Sequence, residues 1–226
     1  MTTLALPAMD LAALLCSRVC HDVISPVGAI VNGLEMLEDE QDASIRESSM
    51  ELIKKSAQSA SARLQFCRLA FGAAGSAGAS IDTGDAETVA RGLLASEKTT
   101  VVWNAKRQLL AKNKVKLLLN LCLVAAATIP RGGTLTIDVN GEGDSVALKV
   151  ASKGANPRLA SGVVGLLAGR PDSGVVDAHT IQPYFAGLVA RECGLEVEVT
   201  PSPEGVAISA QARDVAAAPA ETGATA

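Results

Sequence analysis

Aromatic side chains are nearly missing from this chain: Phe, Tyr and Trp together make up 2% of 226 residues, with one Trp and one Tyr. Its core must therefore be built from aliphatic side chains and closely approaching backbones, for which 48% apolar content and 20 Gly supply the material. No run of Lys and Arg occurs and the formal net charge is -4, so the phosphate-neutralising surface and stacking rings of a nucleic-acid platform are lacking. Nor does any segment offer the roughly 18 or more uninterrupted apolar residues of a membrane span. The longest candidate, Leu117 to Ile129, is short and contains Asn120. The start, Met1-Thr2-Thr3-Leu4, lacks the basic flank of a secretory signal, and the expected location is the cytoplasm, with proteins rather than nucleic acid or membrane as partners. The five cysteines, Cys16, Cys20, Cys67, Cys122 and Cys193, are odd in number and all but the last fall in apolar helical patterns. This predicts reduced, buried thiols rather than a disulfide framework.

Periodicity divides what is present. Leu11, Leu15, Val19, Val23, Val27, Ile30, Leu34 and Leu37 recur at three- and four-residue steps, which marks one apolar stripe on a long helix. After an acidic break at Glu38-Asp39-Glu40-Gln41-Asp42, a second stripe runs through Ile45, Leu52, Ile53, Ala57, Ala60, Leu64, Cys67 and Phe71 until a Gly/Ala/Ser stretch from Gly72 to Gly78 stops it. Residues 1–75 thus read as an antiparallel helical hairpin. A hairpin cannot bury both of its faces alone, so a dimeric four-helix bundle is expected.

Residues 80–212 mix periods. Strands are expected at Thr99–Trp103, Thr134–Val139, Ser145–Val150, Glu196–Thr200 and Val206–Ser209, with a hairpin around Asn140-Gly141-Glu142-Gly143-Asp144. Helical patterns lie at Asp85–Ala95, Asn113–Thr128, Arg158–Leu167 and Thr180–Cys193. Helices laid against a mainly antiparallel sheet make an α/β sandwich, so the whole chain is α+β. Residues 213–226 have the Ala/Pro composition of a disordered tail.

His21 falls nearly opposite the apolar sector of the first helix and should face solvent, among Leu14, Ser17, Ile24, Ser25, Gly28, Asn32 and Glu35. Ser17, Ser25 and Gly28 leave its ring above a shallow floor that a partner surface can approach. Pro26 inside a helix removes a hydrogen bond and costs roughly 3 kcal/mol, and a local kink after His21 is the expected consequence. The segment His21-Asp22-Val23-Ile24-Ser25-Pro26 resembles the H-box of the dimerisation and histidine-phosphotransfer domain of sensor histidine kinases, whose His accepts the phosphoryl group. Leu119 to Thr134, ending in Pro130-Arg131-Gly132-Gly133, resembles the N-box of the kinases' ATP-binding domain. There, however, Val124 stands where the Mg²⁺-binding Asn belongs, and Ala127 and Thr128 replace a basic and an aromatic residue. Ser152-Lys153-Gly154-Ala155-Asn156 occupies the place of the Asp-x-Gly-x-Gly box, with Ser152 for the adenine-reading Asp and Asn156 for the second glycine. Only His179-Thr180-Ile181-Gln182-Pro183-Tyr184-Phe185-Ala186-Gly187 stands for the later phosphate box. A hydrocarbon side chain cannot ligate a hard cation.

The combination is similar to the ChpT family of bacterial histidine phosphotransferases, over roughly residues 8 to 212: a kinase-like architecture whose ATPase-like domain is degenerate. The resemblance implies a homodimer without a bound cofactor or metal. It implies that His21 accepts a phosphoryl group from the receiver domain of a hybrid histidine kinase and passes it to response regulators, with Mg²⁺ supplied by the receiver. Asp22 would orient or support the ring, or is a solvated helix residue. Leu14, Ser17, Ile24, Ser25, Gly28 and Asn32 would form the docking face, with Val31 beside them, although any of the apolar three is also able to pack against the second helix. Arg63 and Arg68 either meet an acidic receiver or solvate the bundle. His179 reads as a structural or capping residue, and Cys16-x-x-x-Cys20-His21 lacks a fourth ligand for a metal. The competing class is a non-catalytic pseudokinase scaffold or regulator of a two-component system.

Overall fold

A computed structural model of the chain describes residues 3–39, 41–72 and 79–212. The tail expected at 213–226 and most of the Gly/Ala/Ser linker lie outside the described residues.

Two long helices open the chain, α1 (Ala8–Asp39) and α2 (Ala43–Ala70), packed against each other. The acidic break serves as a helix start: Asp42 caps α2, its carboxylate accepting from the Ser44 and Ile45 amides at 2.8 and 3.2 Å. The seam between the helices is made of small residues. Pro26 and Gly33 of α1 and Ser49, Ser56 and Ala60 of α2 are buried, and a Cβ at Gly33 would stand 2.7 Å from Ile53 Cγ1. α1 continues as one helix through Pro26, whose missing N–H leaves the Asp22 carbonyl without its usual donor. By length and composition alone Ala8–Glu38 is able to cross a membrane. Its Arg18, His21 and Asp22 would then lie at mid-bilayer, where charge is expensive, and in the fold α1 packs along α2.

The second unit is a five-stranded sheet in the order β2-β4-β5-β7-β6, comprising β2 (Thr99–Trp103), β4 (Gly133–Asn140), β5 (Ala147–Gly154), β6 (Leu195–Ser202) and β7 (Gly205–Ala212). Only the β2/β4 pair is parallel. A separate two-stranded ribbon joins β1 (Ser80–Asp82) to β3 (Leu109–Ala111). Three residues each, these strands are too short to show a period in the sequence. Helices α3 (Thr83–Leu94), α4 (Lys112–Ala127), α5 (Val163–Leu167) and α6 (Ile181–Glu192) complete the unit. The helix expected from Arg158 begins only at Val163, because Gly162 takes φ 80, a left-handed conformation that ends helical continuity on its N-terminal side. The hairpin strand expected from Ser145 starts at Ala147, after a single 3-10 turn over Gly143–Ser145.

α4 contacts the sheet as well as α2 and α6, and Leu117, Leu118, Leu119 and Leu121 are all fully buried. Phe66 and Ala70 of α2 belong to the same core cluster as Leu135, Leu148 and Ile208 of the sheet, so hairpin and sandwich share one core. A buried polar chain fixes the junction. Asn120 Nδ2 donates to Ala70 O at 2.9 Å and to Lys116 O at 2.7 Å, while its Oδ1 accepts from Gln182 Nε2 at 2.6 Å. Asn120→Ala strands these partners in the core, and the expected loss is about 2–4 kcal/mol, read as a lowered urea midpoint. An unchanged midpoint would show that the junction does not depend on this amide. A second fastening lies at the other end. Leu4 N–H donates to Gly169 O at 2.8 Å, Tyr184 Oη–H donates to Leu4 O at 3.0 Å, and Leu6 N–H donates to the same phenol oxygen at 3.2 Å. The sole tyrosine therefore ties the entry to α1 onto α6.

Candidate functional site

His21 lies in the middle of α1 with its side chain 78% exposed. Around it Ser17, Ile24, Ser25 and Asn32 are exposed, and a Cβ added to Gly28 would meet nothing within 4 Å. The glycine is thus not required by packing inside this chain. It leaves open room on the same face, two turns from the imidazole.

Asp22 is half-buried and its two oxygens face different partners. Oδ1 stands 3.6 Å from His21 Nδ1, longer than a hydrogen bond, and Oδ2 accepts from Arg18 Nε at 3.0 Å. Arg18 therefore holds the acid beside the ring. Sequence reasoning passed over Arg18, although its i,i+4 spacing to Asp22 was a readable sign of pairing. From α2, Arg63 and Cys67 complete the surroundings: burial pushes the Cys67 thiol up to about 11, the Asp22 charge adds to this, and Arg18 and Arg63 pull the other way. Arg68 is exposed in the last turn of α2.

Leu14 departs from the docking face expected for it. It is half-buried and packs with Leu4, Leu6, Leu11 and Leu15 onto Leu166, Val176, Ile181 and Tyr184, because the N-terminal end of α1 is laid against the second unit. Ile24 and Val31 remain 71% and 48% exposed. Advancing about 100° per residue, Cys20, Ile24, Val27, Val31 and Leu34 fall within an arc of about 80°, a face that α2 leaves open. This also corrects the expectation for the thiols. All five are free, but Cys16 and Cys20 are exposed, since a single neighbouring helix covers only part of the α1 surface. Burial raises Cys122 to about 12 and Cys193 to about 11. At about pH 8 a disulfide reagent is therefore expected to titrate at most two thiols per chain quickly, because the thiolate is the reacting species. A third thiol reacting equally fast would contradict this burial. Among the described residues no three His, Cys, Asp or Glu side chains meet as a metal cluster.

The positions whose sequence resembles the nucleotide boxes have the following surroundings. Val124 is 5% exposed and presents only methyl groups. Ser152 is buried, and its hydroxyl is consumed internally: it lies 2.6 Å from Thr128 Oγ1, donates to Val206 O at 3.2 Å and accepts from Val206 N at 3.2 Å. Asn156 keeps φ 55, the left-handed conformation suited to the glycine that it replaces. His179 is exposed and does not cap α6. The N-cap position is Thr180, without a side-chain cap bond, and in the turn before it Asp177 accepts from the amides of His179 and Thr180 at 3.0 and 2.9 Å. These hydrogen bonds hold the Asp177 carboxyl below its usual range, with the Thr180 hydroxyl contributing most.

Residues 83–205 match the family described as the histidine phosphotransferase C-terminal domain. The protein phosphotransferase ChpT of Brucella abortus (strain 2308) is 48% identical over 206 residues, which is 91% of this chain and 97% of the relative. A solved bacterial phosphotransferase superposes with a TM-score of 0.85 at 45% identity, covering 93% of this chain and all of its own. With that agreement along nearly the whole length, in hairpin and sandwich alike, the chain belongs to the ChpT family of protein phosphotransferases.

Proposed function

We propose that this protein is a cytoplasmic histidine phosphotransferase of a multi-step phosphorelay, accepting a phosphoryl group on His21 from the phospho-Asp of a hybrid kinase's receiver and passing it to response-regulator receivers. The observation that carries the reading is the setting of His21: a ring open to solvent on a rigid helix, an acid beside one nitrogen, and clear space over Gly28. With Nδ1 toward Asp22, the Nε2 lone pair is free to attack phosphorus. As the N–P bond forms, the P–O bond to the donor aspartate breaks and its carboxylate leaves. Positive charge spreads over the imidazole, and Asp22, held by Arg18, stabilises it. Such transfer depends on positioning more than on covalent chemistry, which suits a site with few groups. The receiver contributes its own Mg²⁺, and this chain adds no cofactor.

The buried Val124 and the self-satisfied Ser152 support a relay without ATP as phosphoryl source. Val27, Val31 and Leu34 of the uncovered arc support a homodimer in which two hairpins close into a four-helix bundle, with Ile24 at the edge nearest His21 outside that seam. Ser17, Ile24, Ser25, Gly28 and Asn32 line the docking face.

The test offers the full chain two donors separately, a receiver phosphorylated with labelled phosphate, and labelled ATP with Mg²⁺. Label is expected to move from the receiver and not from ATP. Direct labelling by ATP would overturn the relay in favour of a kinase. Binding of receivers with no label acquired from any of them would leave the scaffold.

A further inference from the structure

Between α1 and the second unit lies a cavity of about 340 Å³. Its walls are mostly apolar: Leu123, Val124 and Ala127 from the end of α4, Leu159 from the segment before α5, and Val163 and Leu166 from α5, with the hydroxyls of Thr128, Ser161 and Thr180 between them. Three cationic or titratable side chains, Arg18, Arg158 and His179, stand around it. Their charges are answered unequally. Arg18 is paired to Asp22, and His179 lies close enough to Asp177 to lower that carboxyl. The Arg158 guanidinium has no carboxylate within ion-pair distance among the described residues. A solvent-exposed positive charge with no carboxylate partner among the described residues therefore borders a half-enclosed, mostly hydrocarbon pocket.

Gln182 adds a polar group to the lining. The Asn120 amide is fixed by two backbone carbonyls, so Gln182 must turn Nε2 toward Asn120, and its Oε1 is left buried without a donor among the described residues. This side chain is 5% exposed. A cavity with apolar walls and a cation at its rim has the make-up of a small-molecule site. At the small end of the usual ligand-cavity range of roughly 300–1,000 Å³, it suits a body of one or two rings.

We infer that this cavity binds a small amphipathic anion, a flat apolar body bearing one carboxylate, sulfonate or monophosphate, with the anionic group on Arg158 and the rings against Val124, Ala127 and Val163. Charge sets the class: Arg158 is exposed at the rim, so an anionic group on it exchanges water for an ion pair that a neutral apolar molecule lacks, and a polyanion would carry more charge than this one lining cation without a carboxylate partner among the described residues. Arg18 borders the same space, so an occupant lies one residue-pair away from Asp22 and His21.

Naphthalene-2-sulfonate, two fused rings bearing one sulfonate, serves as the probe, titrated into the full chain by its own fluorescence and located by methyl shifts. Saturable binding at one site per chain is expected, with shifts confined to Leu123, Val124, Leu159, Val163 and Leu166. Ala127→Trp, which fills the cavity from an exposed position, and Arg158→Ala are each expected to weaken binding at least tenfold, as is omission of the sulfonate from the probe. ATP with Mg²⁺ is expected not to displace it. Equal binding to Ala127→Trp, displacement by ATP, or methyl shifts located on Ile24, Val27 and Val31 would each overturn the inference. The readout is independent of phosphoryl transfer, so a failed relay would not mask it.

Discussion

Replacing His21 with Ala is expected to abolish acceptance of label from a phosphorylated receiver, a fall of roughly a thousandfold or more, because no other group supplies the nucleophile. The substitution is clean for a structural reason. The ring is 78% exposed and makes no hydrogen bond among the described residues, so its removal should change stability by no more than about 0.5 kcal/mol. Circular dichroism and the urea midpoint of the variant should match the parent while the label is lost. Retained labelling of His21→Ala would place the acceptor elsewhere, with His179 the sole other histidine. Asp22→Asn should give an intermediate loss, since it keeps the nucleophile and removes the charge that steadies the imidazolium.

Introducing charge on the open face of α1 should have the second largest effect. In an isolated chain Val27 and Val31 are 43% and 48% exposed, and Val27→Glu with Val31→Glu would be tolerated there. If these residues meet a second hairpin, the same pair of carboxylates is buried without partners, at a cost of at least about 2 kcal/mol each. Dissociation to monomer is the expected outcome, seen by light scattering at micromolar chain concentration, together with a lower melting temperature. A double variant that keeps the parent's mass and melting point would remove this face from the dimer interface.

Much of the architecture was legible because it rests on local periodicity. The steps of three and four from Leu11 to Leu37 and from Ile45 to Phe71 specify helices whatever surrounds them, and α1 and α2 run close to those limits. The alternation in Thr99–Trp103 and Glu196–Thr200 likewise marked strands that the fold contains. Reading failed where the signal was short or non-local. β1 and β3 have three residues each, and their pairing joins segments far apart in the chain. At Gly162 a single left-handed residue outweighed the apolar pattern from Arg158 onward.

The site divides in the same way. His21, Asp22 and Pro26 sit within six residues, so their spacing on one helix is fixed by helix geometry, and the open position of His21 followed from the wheel alone. Val124 and Ser152 were also readable, as identities at particular positions, and the fold adds that both are buried. What a neighbour does to a side chain was not. Leu14 faces the same side as His21 on the wheel, yet the second unit covers it, while Cys16 and Cys20 share the apolar side and stay open. Helical periodicity gives a direction from the axis and carries no information about which directions another element will fill. Only the tertiary structure decided that Phe66 and Ala70 join the core of the sandwich, that Tyr184 holds the entry to α1, and that Arg18 borders both Asp22 and a cavity of the second unit. Those contacts join segments from about fifty to 180 positions apart, brought together by burial of aliphatic surface in a chain with almost no aromatic residues to do it.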